Sequence, residues 1–135
     1  MTHLLDTSAL LAHYLAEPGA DRVQELFEDE MVVPGASILS LYEFELRLHQ
    51  LGADAATRAT ELDRYRALLD EVVDVNEAVR SEAIHLRTSA TDHVAAMDVL
   101  IAATASHRSA TLVHRDPHFV AIPANLLKQD VLPAK

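Results

Sequence analysis

Short apolar runs alternate along this chain with longer stretches in which apolar residues recur at helical spacing. This alternation is typical of an α/β fold with a mostly parallel sheet, because a crossover helix must join each strand to the next. We therefore expect a single domain over residues 1–135, with a mostly parallel central sheet of four to five short strands flanked by helices. The predicted strands are residues 3–5, 31–34, 72–75 and 111–113, with a short helix and an edge strand in the tail before Pro133; the predicted helices are residues 7–16, 21–29, 37–51, 54–69, 76–88 and 94–106, the last capped by Thr91 or Asp92.

The composition excludes several kinds of chemistry. The chain has no cysteine, which removes disulfides, thiolate nucleophiles and cysteine-based metal sites. Its N-terminal apolar run has no basic residues ahead of it and is interrupted by Asp6, so it resembles neither a signal peptide nor a membrane span. We expect a cytoplasmic protein that does not contact a membrane.

The charge balance is strongly acidic. There are 21 acidic against 11 basic residues, giving a formal net charge of −10. This argues against a protein that holds nucleic acid by a broad cationic surface. Any grip on a polyanion has to be local, and bound divalent cations can supply it.

Asp98 lies where the helical pattern calls for an apolar residue. Its neighbours one turn away on the helix are Val94, Ala95, Ile101 and Ala102, and none of them is a cation. An ionised carboxylate on such a face is costly unless a metal ion or a group from another element pairs with it. The alternative is a partly exposed aspartate on a small, alanine-rich surface.

Three other acids are candidates for the same site. Asp6 and Asp116 each follow a predicted strand, and in parallel sheets ligands bind beyond the carboxyl ends of the strands. Each also has a structural reading, as a helix cap for Asp6 and as a turn for Asp116. Glu43 lies on an amphipathic helix, where a surface ion pair with Arg47 is as good an explanation as chemistry.

No local motif holds these four acids together, so the fold must gather them. Clustered carboxylates repel one another unless divalent cations are bound. Sites that offer only oxygen ligands select hard ions, so we expect Mg²⁺ or Mn²⁺.

Four segments carry a family resemblance: residues 4–10 (LLDTSAL), the helical Glu43, residues 97–105 (MDVLIAATA) and residues 112–119 (LVHRDPHF). Together, and in this order, they resemble the PIN-domain ribonucleases, especially the VapC-type toxins of bacterial type II toxin–antitoxin systems. The resemblance implies a PIN-like fold and a metal-dependent endoribonuclease that hydrolyses RNA phosphodiester bonds. It also implies a cognate antitoxin and a homodimer.

The resemblance further implies roles for individual residues. The acidic metal-binding and catalytic set is Asp6, Glu43, Asp98 and Asp116, supported by the hydroxyls of Thr7 and Ser8. Many relatives have threonine or serine two residues before the last acid, where this chain has His114, which makes His114 a candidate substrate contact. Candidates for contact with the phosphate backbone are Arg47, Arg108 and Arg115.

Other readings are weaker or remain open. A phosphoryl-accepting receiver domain needs a lysine after a late strand, and the only lysines are in the tail. A haloacid-dehalogenase phosphatase needs a second aspartate two residues after Asp6, where the chain has Ser8. The open alternative is a catalytically quiet PIN-like module whose acidic crevice docks a basic protein partner.

Overall fold

Five short strands form one sheet in the computed structural model, which describes residues 1–135. The strands are β1 (His3–Leu5), β2 (Pro34–Ser37), β3 (Glu71–Val73), β4 (Thr111–His114) and β5 (Gln129–Val131). Their order is β3-β2-β1-β4-β5, and all four neighbouring pairs are parallel. The predicted α/β class with a parallel sheet and an edge strand in the tail is confirmed.

Helices cover both faces of this sheet. They are α1 (Thr7–Tyr14), α2 (Ala20–Glu28), α3 (Ile38–Gln50), α4 (Ala55–Leu68), α5 (Glu77–Ser89) and α6 (Ala96–His107), with a 3₁₀ helix (Pro117–Ala121) after β4. Successive strand residues point to opposite faces, so Leu4 packs in one core with α5 and α6, and Leu5 packs in the other with α1 to α4. None of these helices has the length and apolar character needed to cross a membrane.

The strand order reverses direction next to β1. The chain adds β2 and β3 on one side of β1 and then returns to place β4 and β5 on the other side. Such a reversal opens a crevice beyond the carboxyl ends of the two central strands. Asp6 follows β1 and Asp116 lies just beyond β4, so both acids lie at this crevice.

The second strand differs from the prediction, which put it at residues 31–34. It begins at Pro34, a position where proline costs no ladder hydrogen bond, and continues through small residues to Ser37. Gly35 fits closely there, because a Cβ atom would displace the Met1 side chain and lie 3.1 Å from the Glu71 carbonyl oxygen. The apolar run was misleading: Met31 is 84% exposed.

The start of α6 also differs from the prediction. Thr91 and Asp92 do not cap it: the Thr91 amide and hydroxyl donate to the Ala121 carbonyl, and Asp92 accepts from the His93 amide. The helix begins at Ala96 with no capping side chain. Asp98 therefore lies in the first turn, where unpaired backbone N–H groups favour a negative charge.

Candidate active site

Asp6 is the most buried of the four acids, with 4% exposure. It caps α1, and its Oδ2 accepts hydrogen bonds from the Ser8 amide (3.0 Å) and the Ser8 hydroxyl (2.6 Å). Its Oδ1 accepts no hydrogen bond from the protein. Asp6 can therefore be both a helix cap and a metal ligand, because Oδ2 caps α1 and Oδ1 is left free.

Ser8 also connects the ends of the two central strands. Its Oγ accepts a hydrogen bond from the Arg115 amide at 3.0 Å while it donates to Asp6. The hydroxyl therefore fixes Asp6 against the segment that carries Asp116.

Glu43 faces the same crevice. Its Oε1 accepts a hydrogen bond of 2.6 Å from the Thr7 hydroxyl, and its Oε2 has no protein partner. The surface pair with Arg47 is absent: that arginine is exposed and forms no ion pair. The alternative explanation of Glu43, as a member of a surface ion pair with Arg47, is therefore wrong.

The remaining two acids are less enclosed. Asp98 is half-buried and makes no hydrogen bond or ion pair within the protein. Asp116 caps the 3₁₀ helix, and its Oδ1 accepts from the His118 amide (2.9 Å) and lies 2.9 Å from His118 Nδ1, which leaves Oδ2 free. Every one of the four acids thus keeps at least one carboxylate oxygen without a protein partner.

The pKa shifts show that the four acids lie in one another's field. Burial raises the pKa of Asp6 to about 6 against the two Ser8 hydrogen bonds, and the charges of Glu43 and Asp116 add to the rise. Burial likewise raises the pKa of Asp98 to about 6, helped by the charges of Asp6, Asp116 and Glu43. No lysine or arginine pairs with any of the four. The structure therefore brings the predicted acids together, and His118 beside Asp116 is the one basic side chain that pairs with any of them.

His114 is not placed to touch a substrate. It is completely buried, its ring packs at 4.6 Å on the ring of Phe119, and burial lowers its pKa. Its two nitrogens are occupied by the Asp116 amide and by Gln129. The expected substrate contact is wrong, because the residue lies beneath the site instead of lining it.

Two of the candidate arginines are also bound elsewhere. Arg115, 11% exposed, binds Glu17 at 2.6 Å and the Pro18 carbonyl at 3.2 Å. Arg108 ends α6 at the opposite edge of the sheet and pairs with Glu71. Of the three arginines proposed for the phosphate backbone, only Arg47 has its guanidinium free of a carboxylate.

Sequence reasoning missed two residues that shape the site. Gln129 from β5 orients His114, and Glu17 holds Arg115. Gln129 lies between Lys128 and Asp130 in a polar run of the tail, so nothing in its local sequence singles it out. Nothing in the sequence around Glu17 singles it out among 21 acids.

The donor set suits a hard divalent cation. All of the free atoms are carboxylate oxygens, the ligands that Mg²⁺ and Mn²⁺ prefer. In this conformation no three Asp, Glu or His side chains are arranged tightly enough to hold an ion. The fit therefore rests on the chemistry of the free oxygens and on their uncompensated charge, and not on a preformed coordination sphere.

Comparison with known proteins identifies the family. Residues 3–125 match the model of the PIN domain, so the chain belongs to the PIN domain family, as the sequence motifs indicated. No curated protein sequence is detectably similar to it.

Solved structures share the fold at low sequence identity. The structure of VapBC2 from Rickettsia felis, bound to a DNA fragment from its promoter, is 20% identical with a TM-score of 0.79, covering 98% of this chain and 100% of that one. VapBC-1 from nontypeable Haemophilus influenzae is 16% identical with a TM-score of 0.75, covering 97% and 98%. VapC20 from Mycobacterium tuberculosis, described as a Sarcin-Ricin loop cleaving toxin, is 18% identical with a TM-score of 0.68, covering 89% and 94%.

Proposed function

We propose that this protein is a Mg²⁺- or Mn²⁺-dependent endoribonuclease that acts as the toxin of a type II toxin–antitoxin pair. The observation that carries the proposal is the meeting of Asp6, Glu43, Asp98 and Asp116 from four separate elements, with no lysine or arginine to neutralise them. A fold that exists only to be stable would not gather acids in this way, because each raises the cost of ionising the others.

The four carboxylates would hold the metal. When bound, the ion lowers the pKa of a coordinated water and offsets charge on the phosphate and the leaving oxygen. Ser8 orients Asp6 and Thr7 orients Glu43, so these two carboxylates present their free oxygens in fixed directions. Asp98 and Asp116 each keep a carboxylate oxygen without a protein partner, so either of them could also accept a proton from the attacking water.

The proposed partners are inferred from the similar structures and from the acidic charge of the chain. Similar structures are complexes of a PIN toxin with its antitoxin, and the acidic crevice suits a basic segment of such a partner. We propose RNA as the substrate, a cognate antitoxin as the inhibitor, a homodimer as the active form, a cytoplasmic location, and a single PIN-like domain over residues 1–135. With a net charge of −10, RNA binding should depend on the metal.

The test uses purified, antitoxin-free protein and total RNA. Cleavage should appear with Mg²⁺ or Mn²⁺ and stop with EDTA, and mapped ends should cluster at a few defined sites. The Asp98→Asn variant should be inactive, whereas Asp92→Asn, which changes an exposed aspartate just before the same helix, should cleave normally. Intact RNA with both metals would contradict the proposal.

The absence of a tight metal cluster favours a second candidate, a quiet module that docks a basic partner. In that case a basic peptide should bind the wild-type protein in the presence of EDTA, and RNA should stay uncut under every metal condition. Asp98→Asn would then weaken peptide binding without any loss of cleavage to measure.

A further inference from the structure

We propose that His114 is a positioning residue that sets the place of Asp116, acting as a neutral imidazole between the Asp116 backbone amide and Gln129. The inference rests on the proposed function in so far as Asp116 serves the metal.

The hydrogen bonds fix the tautomer of the ring. A backbone N–H can only donate, so the Asp116 amide, 3.1 Å from His114 Nδ1, requires that nitrogen to be unprotonated. Nε2 then carries the proton and donates it to Gln129 Oε1 at 2.7 Å. The Gln129 Nε2 donates in turn to the Phe119 carbonyl at 3.1 Å, which sets the orientation of the amide. This series of hydrogen bonds is consistent only with a neutral imidazole that carries its proton on Nε2.

The surroundings hold the ring rigidly. His114 is 0% exposed and stacks at a tilt on Phe119, the central residue of the 3₁₀ helix that Asp116 caps. Its own carbonyl accepts from the Leu132 amide at 2.7 Å, next to β5. The imidazole is therefore anchored to the sheet, and the loop that carries Asp116 is anchored to the imidazole.

Several hydrogen bonds hold Asp116 in place. The amide of Arg115 is fixed by Ser8, the Asp116 carboxylate contacts the amide and ring of His118, and the Asp116 carbonyl accepts from the Phe119 amide. The Asp116 amide donates to the His114 ring, and without that acceptor the peptide unit between Arg115 and Asp116 would be held less firmly. The free Oδ2 of Asp116 would then no longer point in one direction relative to Asp6.

The same geometry indicates which other residue types could serve at this position. A serine or threonine hydroxyl can accept a hydrogen bond from the backbone amide two residues later, in the local turn that these residues favour. His114 Nδ1 accepts from that very amide, two positions along the chain. The two residue types thus meet one requirement, an acceptor for the Asp116 N–H.

A matched pair of variants isolates this requirement. His114→Thr and His114→Val leave the same space beside Phe119 and have the same shape, but only threonine offers an acceptor to the Asp116 amide. We expect the threonine variant to keep slow hydrogen exchange at the Asp116 amide and Mn²⁺ affinity near that of the wild type. The valine variant should lose the protection and bind Mn²⁺ about tenfold more weakly, as is usual when a group that orients a metal ligand is removed.

The readouts are amide exchange by NMR and Mn²⁺ titration by calorimetry, with thermal unfolding to confirm that both variants fold. A ¹⁵N spectrum of the wild-type ring should show the neutral Nε2–H form. Equal exchange at Asp116 in the two variants, or an Nδ1–H ring, would overturn the proposal. If the wild type bound no Mn²⁺ and cut no RNA, the proposed function would fail, but the exchange comparison would still decide the role of His114.

Discussion

The two ends of α6 treat carboxylates in opposite ways. At its C-terminal end Arg108 holds Glu71 by two hydrogen bonds of 2.8 and 2.6 Å, and these bonds lower the pKa of Glu71. In its first turn Asp98 has no partner, and its pKa rises to about 6. Glu71, at the amino ends of the strands, is therefore paired at one end of α6, whereas Asp98, at the carboxyl ends, has no partner at the other end of the same helix.

This difference distinguishes carboxylates that are paired within the protein from carboxylates that are left for a ligand to neutralise. Other acids outside the crevice are also paired, as Glu17 is with Arg115 and Lys135, and Asp130 with Arg22. Other acids outside the crevice have no ion pair, but nearly all of them are exposed to water. The crevice differs because its four acids are buried or partly buried and none pairs with a lysine or arginine, so a cation from outside the chain can neutralise them.

The largest expected effect is on cleavage. Asp98→Asn should lower the rate by at least about 100-fold, because it removes a ligand from an ion whose charge stabilisation is worth several kcal/mol. Glu71→Gln, at the other edge, should leave the rate unchanged. Both rates are measured on one RNA at saturating Mn²⁺. A similar loss of rate in the two variants would contradict a special role for Asp98 over Glu71.

The next effect is stabilisation by the metal. Mn²⁺ at about 100 times its dissociation constant should raise the free energy of unfolding by about 2.7 kcal/mol, since it binds only the folded site. The gain should shrink strongly in Asp98→Asn and persist in Glu71→Gln. Thermal unfolding with and without Mn²⁺ measures it, and an equal gain in all three proteins would place the ion elsewhere.

A smaller effect concerns the metal-free protein. A folded pKa raised above the unfolded value means that Asp98 costs no stability below its unfolded pKa and destabilises the fold as pH rises through about 6. In EDTA at pH 8, Asp98→Asn should therefore be more stable than the wild type by about 1 kcal/mol, a value discounted for partial exposure.

Urea unfolding at pH 8 and pH 3, below the unfolded pKa of an aspartate, tests this. The advantage of Asp98→Asn should be clear at pH 8 and nearly absent at pH 3, whereas Asp92→Asn should show no such dependence. A destabilised Asp98→Asn at pH 8 would mean that the carboxylate contributes to the fold.

The smallest expected effect is on the stability that the Glu71–Arg108 pair contributes. Glu71→Gln should lower the free energy of unfolding by about 0.5 kcal/mol, because the pair with Arg108 is partly exposed. The pKa of Glu71 is depressed, so this contribution is present above its unfolded pKa and lost as pH falls through the lower folded value. Denaturation at pH 7 and pH 3 measures the loss, and an unchanged Glu71→Gln at pH 7 would show that the pairing has no energetic value.

Sequence reasoning succeeded where a residue contradicts its local pattern. Asp98 stands out because its helical neighbours are apolar, and no other element is needed to see the conflict. The alternation of strands and helices has the same local character. By contrast the prediction for β2 is wrong, because its small residues carry no apolar signal and its position depends on pairing with β1 and β3.

The support of the site could not be predicted for the same reason. His114 is predicted to face a substrate, but Phe119 in the following 3₁₀ helix packs on its ring and Gln129 on β5 binds it, so it is buried. Arg115 is predicted at the phosphate backbone, but Glu17 in the loop between α1 and α2 binds it. Gln129 and Glu17 come from other segments of the chain, and the local sequence around His114 and Arg115 holds no information about them.

The pairing of β1 with β4 also fixes when the activity can arise. The hydroxyl of Ser8 and the amide of Arg115 are 107 residues apart, yet they join Asp6 to the segment of Asp116. A chain growing from its N-terminus on the ribosome has Asp6 early, but it cannot complete the sheet until β4 and β5 have been synthesised. Each nascent copy therefore lacks the cleavage centre that we propose until almost all of it has been translated, so the proposed activity cannot act on the RNA of the ribosome that is making it.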